Sequence, residues 1–174
     1  MKHAPTTVYW DALQYRAWIF HLAATDQGLC LITLPDESYD AMRQWVEKHI
    51  PGAVLVRDRN TLQPYRDQIA EYLSGRRTAF TLALDFRGTP FQVRVWRALL
   101  EIPFGTTRSY SQIAAEVGSP KSVRAVGAAN GANPLPIVAP CHRVIGKDGT
   151  LTGYGGGLEM KAELLRLEGI QSGA

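Results

Sequence analysis

A cysteine and a histidine stand side by side at Cys141 and His142, within the string Pro140-Cys141-His142-Arg143-Val144. The thiolate is the reactive form of cysteine, and a free thiol has a pKa of about 8.5, so a working nucleophile needs a base or a positive neighbour. Adjacent side chains on a strand point to opposite faces, so adjacency alone does not bring the imidazole to the thiol. The alternative is a buried, inert cysteine beside a surface histidine, and the surrounding motifs decide between the two.

The chain between Phe86 and Gly169 carries a series of short motifs around this pair. In chain order they are Thr89-Pro90-Phe91-Gln92, Val95-Trp96, Ile102-Pro103-Phe104-Gly105, Ser109-Tyr110, Val123-Arg124-Ala125-Val126-Gly127, Asn133-Pro134, the Pro-Cys-His-Arg-Val string, Gly153-Tyr154, Leu164-Leu165 and Glu168-Gly169. In content and spacing, this half of the chain resembles the O6-alkylguanine-DNA alkyltransferase family. The resemblance implies DNA repair by stoichiometric, irreversible transfer of an alkyl group from guanine O6 in duplex DNA to a cysteine, with O4-alkylthymine as a second candidate lesion.

The resemblance also implies roles for the residues around the thiol. Cys141 would be the nucleophile and alkyl acceptor, His142 would take its proton through a water, and Glu168 would orient His142. Asn133 would hold the active-site turn by hydrogen bonds, although an ordinary turn residue before a proline is the alternative. Arg143 is interpreted as a buried structural arginine paired with a carboxylate, without a catalytic role.

Further residues match the family's substrate pocket. Tyr154 would form part of the pocket wall, and the glycines that follow, including Gly155 and Gly156, leave more room than the bulkier side chains of some relatives. Pro136 matches relatives that accept large groups. We therefore expect an open pocket that tolerates benzyl-sized adducts as well as methyl, without side-chain help to O6 from position 155.

The same half of the chain contains two predicted short helices, at about 111–117 and from Ser119-Pro120 to about 131, joined across Gly118. This is the spacing of a helix-turn-helix, although plain packing of two helices produces it as well. The second helix is rich in small side chains, which allow either a close partner helix or a close approach to a minor groove about 6 Å wide.

The family resemblance favours the groove for this helix. It implies that Arg124 fills the gap left when the damaged nucleotide leaves the stack, because enzymes that act on a base generally extrude it. Ala125, Gly127 and Ala128 would approach the DNA. Tyr110 would contact DNA and donate to the guanine ring, with an interface or core tyrosine as the alternative.

The first half of the chain reads as a scaffold of mixed α/β type. Predicted elements are apolar strands at 17–24 and 28–34 joined by a hairpin, helices at 37–49 and 62–73, and strands at 54–57 and 78–86. Thr89 and Gln92 form a capping box that begins a helix of the second half. We expect an N-terminal α/β domain at 1–86, with a small antiparallel sheet and helices in a ribonuclease H-like fold. A mostly helical C-terminal domain with a helix-turn-helix would follow at 87–174.

The chain has 174 residues and a formal net charge of +3. Residues 1–87 carry ten basic and ten acidic residues, whereas residues 88–174 carry nine and six, so the excess lies in the half with the motifs. This is compatible with a phosphate-lined partner but does not require one. No apolar run approaches the length of a membrane span, and no signal-peptide core stands at the start.

The two cysteines, Cys30 and Cys141, lie far apart, which favours a reducing cytoplasm over a disulfide framework. Cys30 reads as a core residue. No cofactor is expected, and no metal, because His3, His21 and His49 lack close ligand spacing with Cys30. We expect a monomeric, stand-alone cytoplasmic protein without a membrane or an obligatory protein partner, acting on double-stranded DNA that contains O6-alkylguanine.

Three rival functions remain open on the sequence. A non-transferring relative that only recognises alkylguanine usually replaces the nucleophile with tryptophan, whereas Cys141 is present here. A cysteine hydrolase would turn over ester or amide substrates and would leave the paired short helices without a purpose. A plain DNA-binding regulator would retain its whole function after Cys141→Ser.

Overall fold

The computed structural model describes residues 4–146 and 157–170. The chain divides into two compact units, with the boundary between Arg87 and Gly88. Within the described residues, none of the helices has both the length and the apolar character needed to cross a bilayer.

The first unit is built on a four-stranded sheet with two helices. Its elements are β1 Thr7–Tyr15, β2 Trp18–Thr25, β3 Gly28–Ile32, α1 Tyr39–His49, β4 Val54–Arg57 and α2 Arg59–Leu73. The strand order is β3-β2-β1-β4. Strands β1 to β3 are antiparallel as expected, while β4 joins β1 in parallel, so the sheet is mixed. Strand β1 lies inside the sheet, although the sequence pattern did not identify it as a strand.

The hairpin between β2 and β3 follows the prediction closely. Gly28 ends the turn with φ +148°, and a Cβ there would lie 2.5 Å from the carbonyl of Ala83, so only glycine fits. The strand predicted at 78–86 is wrong apart from one bridge, Leu29 to Leu84. The segment leaves the sheet after two hydrogen bonds to Leu29 because Asp85 turns inward, where it accepts a hydrogen bond from Thr25.

The two helices of the first unit begin at side-chain caps. Ser38 accepts a hydrogen bond from the backbone of Ala41 at the start of α1. Helix α2 begins three residues before the predicted 62 because Asp58 caps it, accepting from the backbone N–H of Thr61. Helix α1 packs on the sheet through a shared apolar cluster that includes Cys30. That cluster is Val8, Ala23, Cys30, Leu31, Met42, Val46 and Ile50.

The second unit is mostly helical. Its elements are α3 Pro90–Leu99, β5 Arg108–Ser109, α4 Tyr110–Glu116, α5 Val123–Gly131, a 3-10 turn Cys141–Arg143, β6 Val144–Ile145 and α6 Leu158–Leu167. The predicted capping box at the start of α3 is present, with Thr89 and Gln92 each bonded to the other's backbone. Strands β5 and β6 pair in parallel, Arg108 with Val144, which brings the start of α4 near the end of the 3-10 turn.

Helices α4 and α5 form the predicted pair of short helices. Helix α4 ends at a turn in which Gly118 has φ +79° and Ser119 donates to the carbonyl of Ala114. Helix α5 begins at Val123, later than predicted, because residues 119–122 form a separate turn closed by a bond from Ser122 N–H to Ser119 O. The indole Nε1 of Trp96 donates to the carbonyl of Ala129, which ties α3 to α5 at 2.8 Å.

Candidate active site

The nucleophile candidate stands at the start of the 3-10 turn, after a buried loop fixed by Asn133. Asn133 Nδ2 donates to the carbonyl of Ala139 at 2.8 Å, and its Oδ1 accepts from the backbone of Leu135 at 3.0 Å. Asn133 is also one of the groups that lower the pKa of the Cys141 thiol. One amide side chain thus ties Leu135 to Ala139 across the loop that precedes the thiol.

The loop also contains a strained residue that the sequence pattern did not reveal. Ile137 has φ +75° and is fully buried. A β-branched residue is rarely found in the left-handed region, and such a conformation costs on the order of 1–3 kcal/mol. The contacts around the loop hold it there, and the backbone path that delivers Cys141 is therefore imposed by its surroundings.

Cys141 is only 3% exposed. Burial raises the pKa of its thiol to about 11, against the opposing effects of the Asn133 hydrogen bond, the positive charge of Lys161 and backbone N–H groups. At rest the residue is therefore a thiol. A base must remove its proton before the sulfur can react.

His142 is fully buried, and its Nε2 lies 2.7 Å from Oε2 of Glu168. Burial lowers the pKa of His142, and the neighbouring Glu168 carboxylate only partly offsets this. The ring is consequently neutral near pH 7 and donates Nε2–H to Glu168. In that tautomer Nδ1 is the basic nitrogen.

Glu168 accepts hydrogen bonds from three residues in two separate parts of the second unit. Besides His142, it accepts from Arg143 at 2.8 and 3.0 Å and from the backbone N–H of Gly105 at 3.0 Å. Burial alone would raise the pKa of Glu168, but the hydrogen bonds from His142, Arg143 and Gly105 outweigh it and lower the pKa to about 2. The carboxylate is therefore charged throughout the neutral range.

Arg143 is buried, as the structural interpretation requires. Besides its two bonds to Glu168, its Nη1 donates to the carbonyl of Ile102 at 2.6 Å. The predicted carboxylate partner of Arg143 is therefore the same group that holds His142, and the arginine belongs to the support of the site.

Lys161 is a site residue that the sequence analysis missed. Its side chain is fully buried on α6, and Nζ donates to the carbonyl of Val144 at 2.5 Å. Burial lowers its pKa to about 8, while interaction with Cys141 acts in the opposite direction. A signal was available, since Lys161 and Glu168 are seven residues apart and so lie on one face of a helical stretch.

The predicted DNA-facing residues lie mostly on the exposed side of α5. Arg124, Ala125 and Ala128 are exposed, and Gly127 is half-buried. Tyr110, half-buried at the first position of α4, lies beside this helix, because a Cβ on Gly127 would be 4.0 Å from its ring. The structure thus brings Tyr110 next to the small-residue helix, whose exposed positions 124, 125 and 128 form one face.

Other predicted positions contribute less to the described site. Pro136 is buried in the loop before Cys141, whereas Tyr154, Gly155 and Gly156 lie outside the described residues. Among the residues described, no group of three histidine, cysteine or acidic side chains could hold a metal ion. Cys30 lies in the core of the first unit, where its thiol donates to the carbonyl of Ala23.

Two family models match the chain, one for each half. Residues 8–86 match the ribonuclease-like domain of 6-O-methylguanine DNA methyltransferase, and residues 90–170 match the DNA binding domain of the same family. Both matches fall within the units that the structure separates at residues 87 and 88.

Individual relatives agree with the family models. The inducible methylated-DNA–protein-cysteine methyltransferase of Bacillus subtilis is 49% identical over 97% of this chain and 94% of its own length. The crystal structure of Mycobacterium tuberculosis O6-methylguanine methyltransferase is 42% identical with a TM-score of 0.80, covering 92% of each chain. The M. tuberculosis OGT structure in complex with DNA is 40% identical with a TM-score of 0.78, covering 93% of this chain and 92% of that one.

Proposed function

Because this chain belongs to the 6-O-methylguanine DNA methyltransferase family, we propose that it repairs DNA by moving the alkyl group from guanine O6 onto Cys141. The observation that carries the proposal is the hydrogen bond between Glu168 and His142, the residue that directly follows a buried cysteine. A base held by a carboxylate next to a thiol is the arrangement that nucleophilic catalysis requires.

The first step is removal of the thiol proton. With Nε2–H given to Glu168, His142 accepts the proton of Cys141 at Nδ1 through a water. The imidazolium that forms is stabilised by Glu168, which remains charged because its pKa is about 2. The positive charge of Lys161 favours the thiolate left behind.

Alkyl transfer is then a single displacement at carbon. The sulfur of Cys141 forms a bond to the alkyl carbon while the bond between that carbon and guanine O6 breaks, and guanine keeps the electron pair. The Tyr110 hydroxyl donates to the guanine ring and helps it to carry the developing charge. The products are a thioether on Cys141 and unmodified guanine, which takes up one proton at N1 and so balances the proton that Cys141 gave to His142. Each protein molecule acts once because the thioether has no route back to the thiol.

Helix α5 is the element that contacts the minor groove of the DNA. Small exposed residues, Ala125 and Ala128, allow close approach of the backbone, and Gly127 lies beside the ring of Tyr110. Arg124 enters the duplex where the damaged nucleotide has left the stack, and extrusion is needed because the alkyl carbon is out of reach inside the helix. The partner is therefore double-stranded DNA with an O6-alkylguanine.

The pocket is open enough for adducts larger than methyl. This part of the proposal rests on Pro136 and on the glycines at 155 and 156 in the sequence. Free O6-benzylguanine should then label Cys141. Labelling by methylated duplex DNA but not by free O6-benzylguanine would contradict a wide pocket.

A reducing compartment such as the cytoplasm suits a protein whose two cysteines are both free. A disulfide or an oxidised sulfur at Cys141 would abolish its nucleophilicity.

The decisive test is intact mass after incubation with duplex DNA containing O6-methylguanine. We expect a single gain of about 14 mass units on Cys141, absent in Cys141→Ser, as a covalent thioether requires. Tight binding to the lesion without any gain in mass would instead assign the protein to the recognition-only class.

A further inference from the structure

Asn130 is a polar residue on the buried side of α5. The buried positions of this helix are Val126, Ala129 and Asn130, and Asn130 is 2% exposed. Its Oδ1 is buried, and no donor among the described residues reaches it. A buried polar atom without a partner destabilises the fold relative to a solvated one, so its presence calls for a reason beyond packing.

The other end of the same amide points to the nucleophile. Asn130 Nδ2 lies 3.4 Å from the carbonyl oxygen of Cys141 and donates to it. That carbonyl belongs to the peptide group that joins Cys141 to His142. The N–H of this same peptide group, that of His142, is one of the groups that lower the pKa of the Cys141 thiol.

One peptide group therefore links the Asn130 amide to the N–H that favours the thiolate. Asn130 donates to the carbonyl of this group, which polarises the peptide and strengthens the effect of its N–H on the sulfur. The contact to the carbonyl also limits rotation of the peptide plane, which fixes the position of its N–H. Both effects favour the negatively charged form of the sulfur.

We propose that Asn130 is a positioning residue for the nucleophile, which acts from the buried face of α5 by holding the peptide group between Cys141 and His142 in place. The proposal rests on the proposed alkyl transfer to Cys141 and deepens it. It assigns the DNA-facing helix a second role, because Asn130 lies six residues after Arg124 on α5. The same helix therefore meets the duplex on one side and supports the thiol on the other.

The test is the single-turnover rate of methyl transfer from O6-methylguanine duplex, at saturating DNA and across about pH 6 to 9. Asn130→Leu keeps the branched shape of the side chain and removes its donor. We expect its rate at neutral pH to fall about two- to tenfold, the factor that one hydrogen bond is worth, with the loss shrinking as the pH rises. Its melting temperature should equal or exceed that of the wild type, because the unpartnered oxygen is gone.

Two further variants separate this role from plain structural support. Asn130→Asp retains the size but replaces the donor with an acceptor, and it should react more slowly than Asn130→Leu at neutral pH. Val126→Ala removes apolar contacts from the same buried face, so it should lower the melting temperature while leaving the pH profile of the folded protein unchanged.

A wild-type rate and pH profile in either Asn130 variant would overturn the proposal, as would a loss in rate that merely follows the folded fraction. The failure of the proposed function looks different, because wild-type protein would then gain no methyl group and this inference would fall with it.

Discussion

Arg143 donates two parallel hydrogen bonds to Glu168, 2.8 and 3.0 Å long, with both side chains buried. The pair is a bidentate arginine–carboxylate contact, the form in which such pairs are strongest. Since Glu168 also receives Nε2–H from His142, the arginine fixes the position and the charge of the group that orients the base.

Replacing Arg143 with leucine should therefore damage both stability and chemistry. Removing one partner of a buried pair leaves an uncompensated charge and costs about 3–5 kcal/mol. The pKa of His142 should rise, because the nearby positive charge that lowers it is lost, and a protonated imidazole cannot act as the base. Urea unfolding and the pH–rate profile measure the two effects. Arg166→Ala, which removes an exposed ion pair with Glu163, should change stability by less than about 0.5 kcal/mol.

Glu168→Gln should remove a contribution to the free energy of unfolding that depends on pH in the acid range. The pKa of Glu168 is about 2 in the folded protein and 4.5 ordinarily, so its ionised form stabilises the fold. This contribution, about 3 kcal/mol, is present above pH 4.5 and is lost as the pH falls toward 2. The difference in unfolding free energy between wild type and Glu168→Gln should shrink over that interval. A difference that stays constant with pH would show that the carboxylate is not ionised in the native site.

Lys161→Met should slow the transfer reaction, and it should change how the free energy of unfolding depends on pH. Without the positive charge near Cys141, the thiol pKa should rise and the transfer rate at neutral pH should fall by about a factor of ten. The pKa of Lys161 is about 8 in the fold and 10.5 ordinarily, so the unfolded chain binds its proton more tightly between these values. The free energy of unfolding of the wild type should therefore receive a contribution from Lys161 that increases from pH 8 to 10.5. Lys161→Met should lack this increase. Transfer at the wild-type rate would contradict the role given to Lys161.

Arg124→Ala should slow repair of duplex DNA and leave the reaction with free O6-benzylguanine unchanged. The free base needs no extrusion, so only the duplex reaction depends on a side chain that replaces the departed nucleotide. Single-turnover rates on duplex DNA and on free O6-benzylguanine, each relative to wild type, measure the two effects. Arg166→Ala removes the same charge from an exposed position on α6 and should leave both rates unaltered. If Arg124→Ala and wild type repaired duplex at equal rates, the role of Arg124 in extrusion would be wrong.

Local sequence signals predicted the elements that are determined by residues close together in the chain. The hairpin at Gly28, the capping box at Thr89 and the strand Val54–Arg57 each depend on residues a few positions apart, and all three were predicted correctly. The strand predicted at 78–86 is wrong although its residues alternate as in a strand. The segment pairs with the sheet at one bridge, between Leu29 and Leu84, and Asp85 then turns toward Thr25.

The site depended more on contacts that local patterns do not encode. The pairing of His142 with Glu168 was available only through family resemblance, since 26 positions separate them. Lys161 and Asn130 escaped notice because their importance lies in which distant carbonyl each one reaches, that of Val144 and that of Cys141. A buried polar side chain in a short helix looks like an ordinary surface residue until the tertiary packing is known.

The distance along the chain between His142 and Glu168 has a consequence for synthesis. A ribosome makes the base 26 residues before the carboxylate that completes its site, and the thiol one residue earlier still. A nascent chain that ends between them therefore carries the nucleophile without the group that orients its base, and Arg143 without its partner. Full reactivity arises only once α6 has been made and has packed against the turn, so truncated products of translation should be inert toward alkylated DNA.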